Sequence, residues 1–196
     1  MRQELSKLIK QSYSEKEAST YVEYSLTQED CKLIVESAKL VLLNFPSIPN
    51  CCAPMSAIWT AMLRDRTNID IPVHMVAGNL DMMGKRIFGD NKNMLNMNQA
   101  FSESNLDWDG HCWVVFGDYI GDISLFRTAY SEQSPEWLRK MVRDRFGEGR
   151  GMLLATPSQM LEHGLTYTPS YVLKDLQITG LVKSIELIVK QHRTGA

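Results

Sequence analysis

The stretch Gly110-His111-Cys112-Trp113-Val114-Val115-Phe116-Gly117-Asp118-Tyr119-Ile120-Gly121-Asp122-Ile123-Ser124 decides how this chain is read. Two short apolar runs flank Gly117-Asp118, a two-residue loop whose leading Gly suits a type II′ hairpin turn. With that loop, Phe116 faces Tyr119, Trp113 faces Asp122 and His111 faces Ser124. Side chains alternate along a strand, so His111, Trp113, Asp122 and Ser124 share one face. His111 and Asp122 become diagonal neighbours, about 7 Å apart at the backbone, a gap their side chains can close. A three-residue loop would turn Asp122 to the other face. Asp118 is the rival acid, but it lies in the turn, seven residues from His111. At about 3.3 Å per residue it is too distant to orient the ring. An imidazole beside a carboxylate on a rigid hairpin supplies two members of a nucleophilic triad.

The third member is sought among Cys31, Cys51, Cys52 and Cys112. Cys52 opens an expected helix running to about Asp65, with Pro54 in the first turn, where the backbone N–H has no helical acceptor. Free N–H groups and the helix dipole favour a thiolate there, and a nearby imidazolium favours it further. The same N–H groups can hold the oxyanion of a tetrahedral intermediate. Cys52 as nucleophile, His111 as base and then acid, and Asp122 as orienter therefore form a coherent set. The competing reading of any single cysteine is a small buried apolar residue, and of a lone strand histidine a satisfied structural one. Zinc knuckles space their ligands by two to four residues, whereas Cys51-Cys52 and His111-Cys112 are adjacent. The spacing therefore disfavours a metal site. No cofactor is expected.

The rest of the chain sets the frame. A length of 196 residues fits a single domain over 1–196, and 44% apolar residues are enough for a real core. A net charge of −2 leaves no electrostatic footprint for nucleic acid. No apolar run approaches the ~18 residues of a membrane-spanning helix, so no membrane association is expected. The first residues lack a signal-peptide core, which makes the cytoplasm, with reduced thiols, the default compartment. Residues 2–12, with Leu5, Leu8 and Ile9 on one side, and 15–26 are read as helices, a helical appendage over 1–26. Thr27 followed by Asp30 resembles a capping box that opens a helix to about Phe45. Pro46 and Pro49 end that helix. Strands are expected over 69–80, 85–88, 152–155 and 165–173, and helices over 134–145 and 175–192. Residues 89–109, rich in Asn and Met, read as a long loop leading to His111, either shaping access or inserted without a role. Trp108 and Trp113 flank His111 as groove walls, with core packing the rival role for Trp113.

Cys52 to Gly78 resembles the nucleophile segment of the transglutaminase-like superfamily: Cys52, Ser56, Leu63-Arg64, Ile71-Pro72 and Val76-Ala77-Gly78. His111-Cys112-Trp113-Val114 followed by Asp122-Ile123-Ser124 resembles its second motif, so the likeness spans roughly residues 50–125. The spacing to Leu63-Arg64 favours Cys52 over Cys51, which becomes a flank. Asn50 stands where that family commonly has Gly, and Val73-His74 where it commonly has Ala-Arg. His74 is a rival base with no acid placed beside it, and is read as structural. His163 and His192 have no constellation around them.

The resemblance implies an α+β, papain-like core in which the nucleophile helix packs on an antiparallel sheet, with extra N-terminal helices. It implies acyl-transfer chemistry at Cys52, His111 and Asp122 on a peptide or protein substrate, as a peptidase or amidase. An acyltransferase using an amine acceptor and a non-catalytic interaction module on the same fold are the alternatives. No Asp-x-Asp-x-Asp-Gly calcium loop occurs in the chain.

Overall fold

Val73–Met82 is buried at every position except Asp81, the requirement for a strand covered on both faces and paired on both edges. This strand, β1, organises the molecule. The computed structural model describes residues 1–45, 51–65, 70–89, 101, 110–149 and 151–194, with the backbone alone over 186–194. In chain order the elements are α1 (Arg2–Ser12), α2 (Glu15–Glu23), α3 (Gln28–Asn44), α4 (Cys52–Arg64), β1, β2 (Lys85–Phe88), β3 (His111–Phe116) and β4 (Tyr119–Asp122). They continue with α5 (Leu125–Ala129), α6 (Glu136–Phe146), β5 (Leu153–Ala155), α7 (Pro157–Glu162), β6 (Leu165–Val172) and α8 (Asp175–Thr194). The fold is α+β, with an antiparallel sheet. β3 pairs with the first half of β1, Val73 opposite Phe116 through Gly78 opposite His111. β2 pairs with its end, β6 pairs with it over Val76–Met82, and β4 and β5 extend the sheet beyond β3.

Alternation along β1 and β3 divides the core in two. Val76, Leu80, Met82, Trp113 and Val115 face one side, where Leu5 and Ile9 of α1 and Ala18 and Tyr21 of α2 cover them. The expected appendage is thus seated in the main core. Val73, Val114 and Phe116 face the other side and meet Met55, Trp59 and Leu63 of α4, with Ile34, Ala38 and Val41 of α3 behind. Trp59 anchors this side. Its ring meets Phe116 edge-on at 5.2 Å, and its Nε1–H donates to Ser37 Oγ at 2.8 Å. Gly121 lets β4 approach, since a Cβ there would stand 2.5 Å from Trp59 Cη2.

The hairpin register is the one expected from a Gly117-Asp118 loop: Phe116 opposite Tyr119, Val115 opposite Ile120 and Val114 opposite Gly121. Gly117 takes φ +52°, the left-handed region such a turn needs. One part of that reading is corrected. The second strand ends at Asp122, and Ser124 is the N-cap of α5 (φ −114°, ψ −24°), so it is not a strand partner of His111. The cause lies in Asp122 itself, whose Oδ1 accepts from the backbone N–H groups of Ser124 at 2.9 Å and Leu125 at 3.1 Å and folds the chain into α5. The Thr27–Asp30 capping box is present and opens α3. α2 stops at Glu23, because Tyr24 is extended. Two short helices, α5 and α7, were not expected from the sequence. Pro46, Pro49, Trp108 and nearly all of the 89–109 loop lie outside the described residues. Among the described residues no helix is long and apolar enough to cross a membrane.

Candidate active site

Cys52 is the first residue of α4, and Cys51 is its N-cap. The first intrahelical bond runs from the Met55 N–H to the Cys51 carbonyl at 3.0 Å. Pro54 has no N–H, so the free donors of this helix start are those of Cys52 and Ala53. α4 packs on the face of β3 that carries Cys112, and Ser56 Oγ donates to the Cys112 carbonyl at 3.1 Å. His111 is the first residue of β3 and alternates to the opposite face. Helix and imidazole therefore meet at the beginning of the strand, where Cys52 Sγ lies 3.9 Å from the Gly110 carbonyl oxygen.

His111 Nε2 and Asp122 Oδ2 are 2.6 Å apart, and both side chains are fully buried. The diagonal relation across the hairpin is the one the register provides. The carboxylate is saturated with donors. Oδ1 accepts from Ser124 N–H, Ser124 Oγ–H and Leu125 N–H, and Oδ2 accepts from His111 and from the Tyr167 hydroxyl at 2.9 Å. Phe88 stacks on the imidazole at 4.9 Å, with Trp113 nearly parallel to it at 6.2 Å. The second ring nitrogen, Nδ1, is buried with no hydrogen-bond partner among the described residues.

Burial alone would keep the His111 ring neutral. The Asp122 charge and hydrogen bond override it, the Cys52 thiol adds to them, and the His111 pKa is pushed up to about 10. Asp122 is held below its usual range despite burial, by His111 first and then by Ser124 and Tyr167. The Cys52 thiol lies well below its ordinary value. The neighbouring Cys112 thiol lowers it most, burial opposes, and the nearby His111 lowers it further. Cys112 moves the other way, chiefly through burial. Cys51 is pushed up to about 11, by burial and by its neighbour Cys52, with Arg127 opposing. The two adjacent thiols thus differ in kind: Cys52 is electrostatically prepared for ionisation, and Cys51 belongs to an apolar cluster with Met55 and Phe45. All four cysteines are free thiols.

The rival residues sit elsewhere. Asp118 is half-exposed in the turn and pairs with Arg2. His74 is buried between the rings of Tyr13 and Tyr21, at 5.4 and 5.9 Å. Burial, and then the Arg64 charge, push its pKa down to about 3, so it stays neutral. The Leu63-Arg64 pair has a structural account. Leu63 is fully buried, and Arg64 joins the end of α4 to the Val73 carbonyl at 2.8 Å, to the Tyr13 hydroxyl at 3.1 Å and to Asp175. Trp113 is wholly buried, which makes it core. Of the 89–109 loop, Phe101 packs in the Cys52 cluster and stacks on Tyr171. Sequence reasoning missed Tyr167 and Phe88. Both come from strands that pair with β1, and no spacing rule links them to His111. Among the described residues no group of His, Cys, Asp and Glu is placed to hold a metal ion.

No protein-family model, curated protein or solved structure matches this chain.

Proposed function

We propose that this chain is a cysteine-dependent acyl-transfer enzyme, a thiol hydrolase of peptide or amide bonds built on a transglutaminase-like, papain-like core. The observation that carries the reading is the buried His111–Asp122 pair at 2.6 Å, with the other ring nitrogen unpartnered among the described residues, beside a thiol at a helix start. A buried ion pair is a weak source of stability compared with apolar packing. Its presence here is better accounted for by chemistry than by folding.

In this reading His111 takes the Cys52 proton on Nδ1, and Asp122 holds Nε2–H and balances the imidazolium. The thiolate attacks the substrate carbonyl carbon, forming a C–S bond. The displaced π electrons rest on the carbonyl oxygen, facing the Cys52 and Ala53 N–H groups. Collapse of this intermediate breaks the C–N bond, and the imidazolium gives its proton to the departing amine. Water, deprotonated by His111, then attacks the thioester, which releases the acid and restores the thiol. An amine in place of water would give transfer instead of hydrolysis, by the same steps.

The test is mass spectrometry of the protein incubated with activated esters and a peptide panel. An acyl adduct on Cys52 that is lost in Cys52→Ala and suppressed in His111→Ala supports the reading. Failure of every donor to modify a Cys52 shown to be free and reduced favours an interaction module on the same fold.

A further inference from the structure

The buried surroundings of Asp122 contain one donor that local chain geometry does not explain. Three of its five hydrogen bonds come from Ser124 and Leu125, which follow it directly and move with it. The fourth comes from His111, and the fifth from Tyr167 on β6, 45 residues along the chain. Tyr167 stands opposite Leu80 on β1, 5% exposed, with its ring edge-on to Trp113 at 5.2 Å and 6.2 Å from the His111 ring. A phenylalanine would fill the same volume in that apolar setting, without a hydroxyl to desolvate. The hydroxyl is directed at Oδ2, the oxygen that also holds His111. A carboxylate oxygen has two lone-pair directions. His111 and Tyr167 together occupy both.

We infer that Tyr167 is a positioning residue of this site: from β6 its hydroxyl occupies the second acceptor direction of Asp122 Oδ2 and so fixes the line along which Asp122 holds the His111 ring. Its effect on the reaction rests on the acyl-transfer reading above. Its effect on the His111–Asp122 bond does not. Two consequences follow from a shared acceptor. Removing the hydroxyl concentrates the charge of Oδ2 on His111 and strengthens that hydrogen bond. Making the phenol a stronger donor weakens it. In both cases the ring leaves its set orientation relative to Cys52.

The experiment follows the proton bridging His111 Nε2 and Asp122 Oδ2 by NMR, assigned by its loss in His111→Ala. Tyr167→Phe moves this resonance downfield, and 3-fluorotyrosine at position 167, a better donor, moves it upfield. Tyr171→Phe, which removes a phenol from the same strand that bonds Gln177, leaves it in place. A role in packing alone moves it in neither case, because ring volume is kept. An unmoved bridging proton in both Tyr167 variants overturns the inference, whatever Cys52 does. Should Tyr167→Phe not fold, the fluorotyrosine protein decides alone. A bridging proton that moves as stated, in a protein whose Cys52 alkylates no faster than Cys31, upholds the inference about Tyr167 and overturns the acyl-transfer reading instead.

Discussion

Asp122→Asn separates the two jobs of that carboxylate. The two backbone N–H groups of Ser124 and Leu125 cannot reverse, so the amide oxygen takes the Oδ1 place and the amide NH2 faces His111. The ring must then accept at Nε2 and carry its proton on Nδ1, the nitrogen that in the acyl-transfer reading receives the thiol proton. The charge effect acts in the same direction. With Asp122 ionised the ring titrates at about 10, so it is almost wholly protonated at pH 7.5. Without that charge burial, the largest influence and one that disfavours protonation, is opposed by the Cys52 thiol alone, and the ring loses most of its protonated fraction at pH 7.5. The thiolate–imidazolium pair therefore falls by about tenfold, or ~1.4 kcal/mol. The assay is the rate of iodoacetamide addition to Cys52, mapped by peptide mass spectrometry between pH 5 and 9.5. The wild type reacts fast from well below the usual thiol range, and the variant reacts like an ordinary buried cysteine. A variant rate within twofold of wild type across that range refutes the assigned role of Asp122.

Three further outcomes are expected. Gly121→Ala places a Cβ 2.5 Å from Trp59 Cη2 and 2.7 Å from Phe116 Cε2 and destabilises the fold by about 1–3 kcal/mol, read as a lower urea midpoint. An unchanged midpoint contradicts this packing. His74 binds a proton in the unfolded chain below pH ~6.5 but in the folded chain only near 3, so unfolding takes up a proton in that window and stability falls as pH falls. His74→Gln removes up to ~1.4 kcal/mol per pH unit of that slope in urea titrations between pH 7 and 4, and a slope equal to wild type argues that the ring is not held neutral. Asp118→Asn, altering an acid paired with Arg2 at the surface, leaves the Cys52 alkylation rate unchanged. A tenfold loss there would reassign the orienting acid.

How much of this was legible in the sequence depended on how local the signal was. The hairpin is a two-residue turn between alternating strands, and its register followed from the loop length, including the side on which Asp122 lies. α3 was marked by Thr27 and Asp30, and α4 by Pro54 in its first turn. α5 was not legible because it has five residues, too few for a helical period, and because its start is held by a carboxylate three residues earlier. α7 carries a readable signal, the Thr156-to-Gln159 capping box with Pro157 at its start, although a strand pattern lies directly beside it. Tyr167 and Phe88 were out of reach for a different reason. Their relation to His111 exists only through the pairing of β6 and β2 with β1, and pairing partners far apart in sequence leave no period to read.

The placement of β6 on the free edge of β1 bears on how the protein is made. β1 leaves the ribosome long before its partner, since Met82 must wait for Leu165. At about 5–20 residues per second the wait is roughly 4–17 s. Throughout it one edge of the central strand, with its backbone N–H and C=O groups unpaired, is open as a template for pairing with another nascent chain. The donors around Asp122 arrive in the same sequence, with Tyr167 last. A growing chain thus holds thiol, imidazole and carboxylate for some seconds before the strand that closes the sheet delivers the hydroxyl. Completion of the sheet and completion of the site are one event, and a chaperone that shields the β1 edge during synthesis would also delay the site's final assembly.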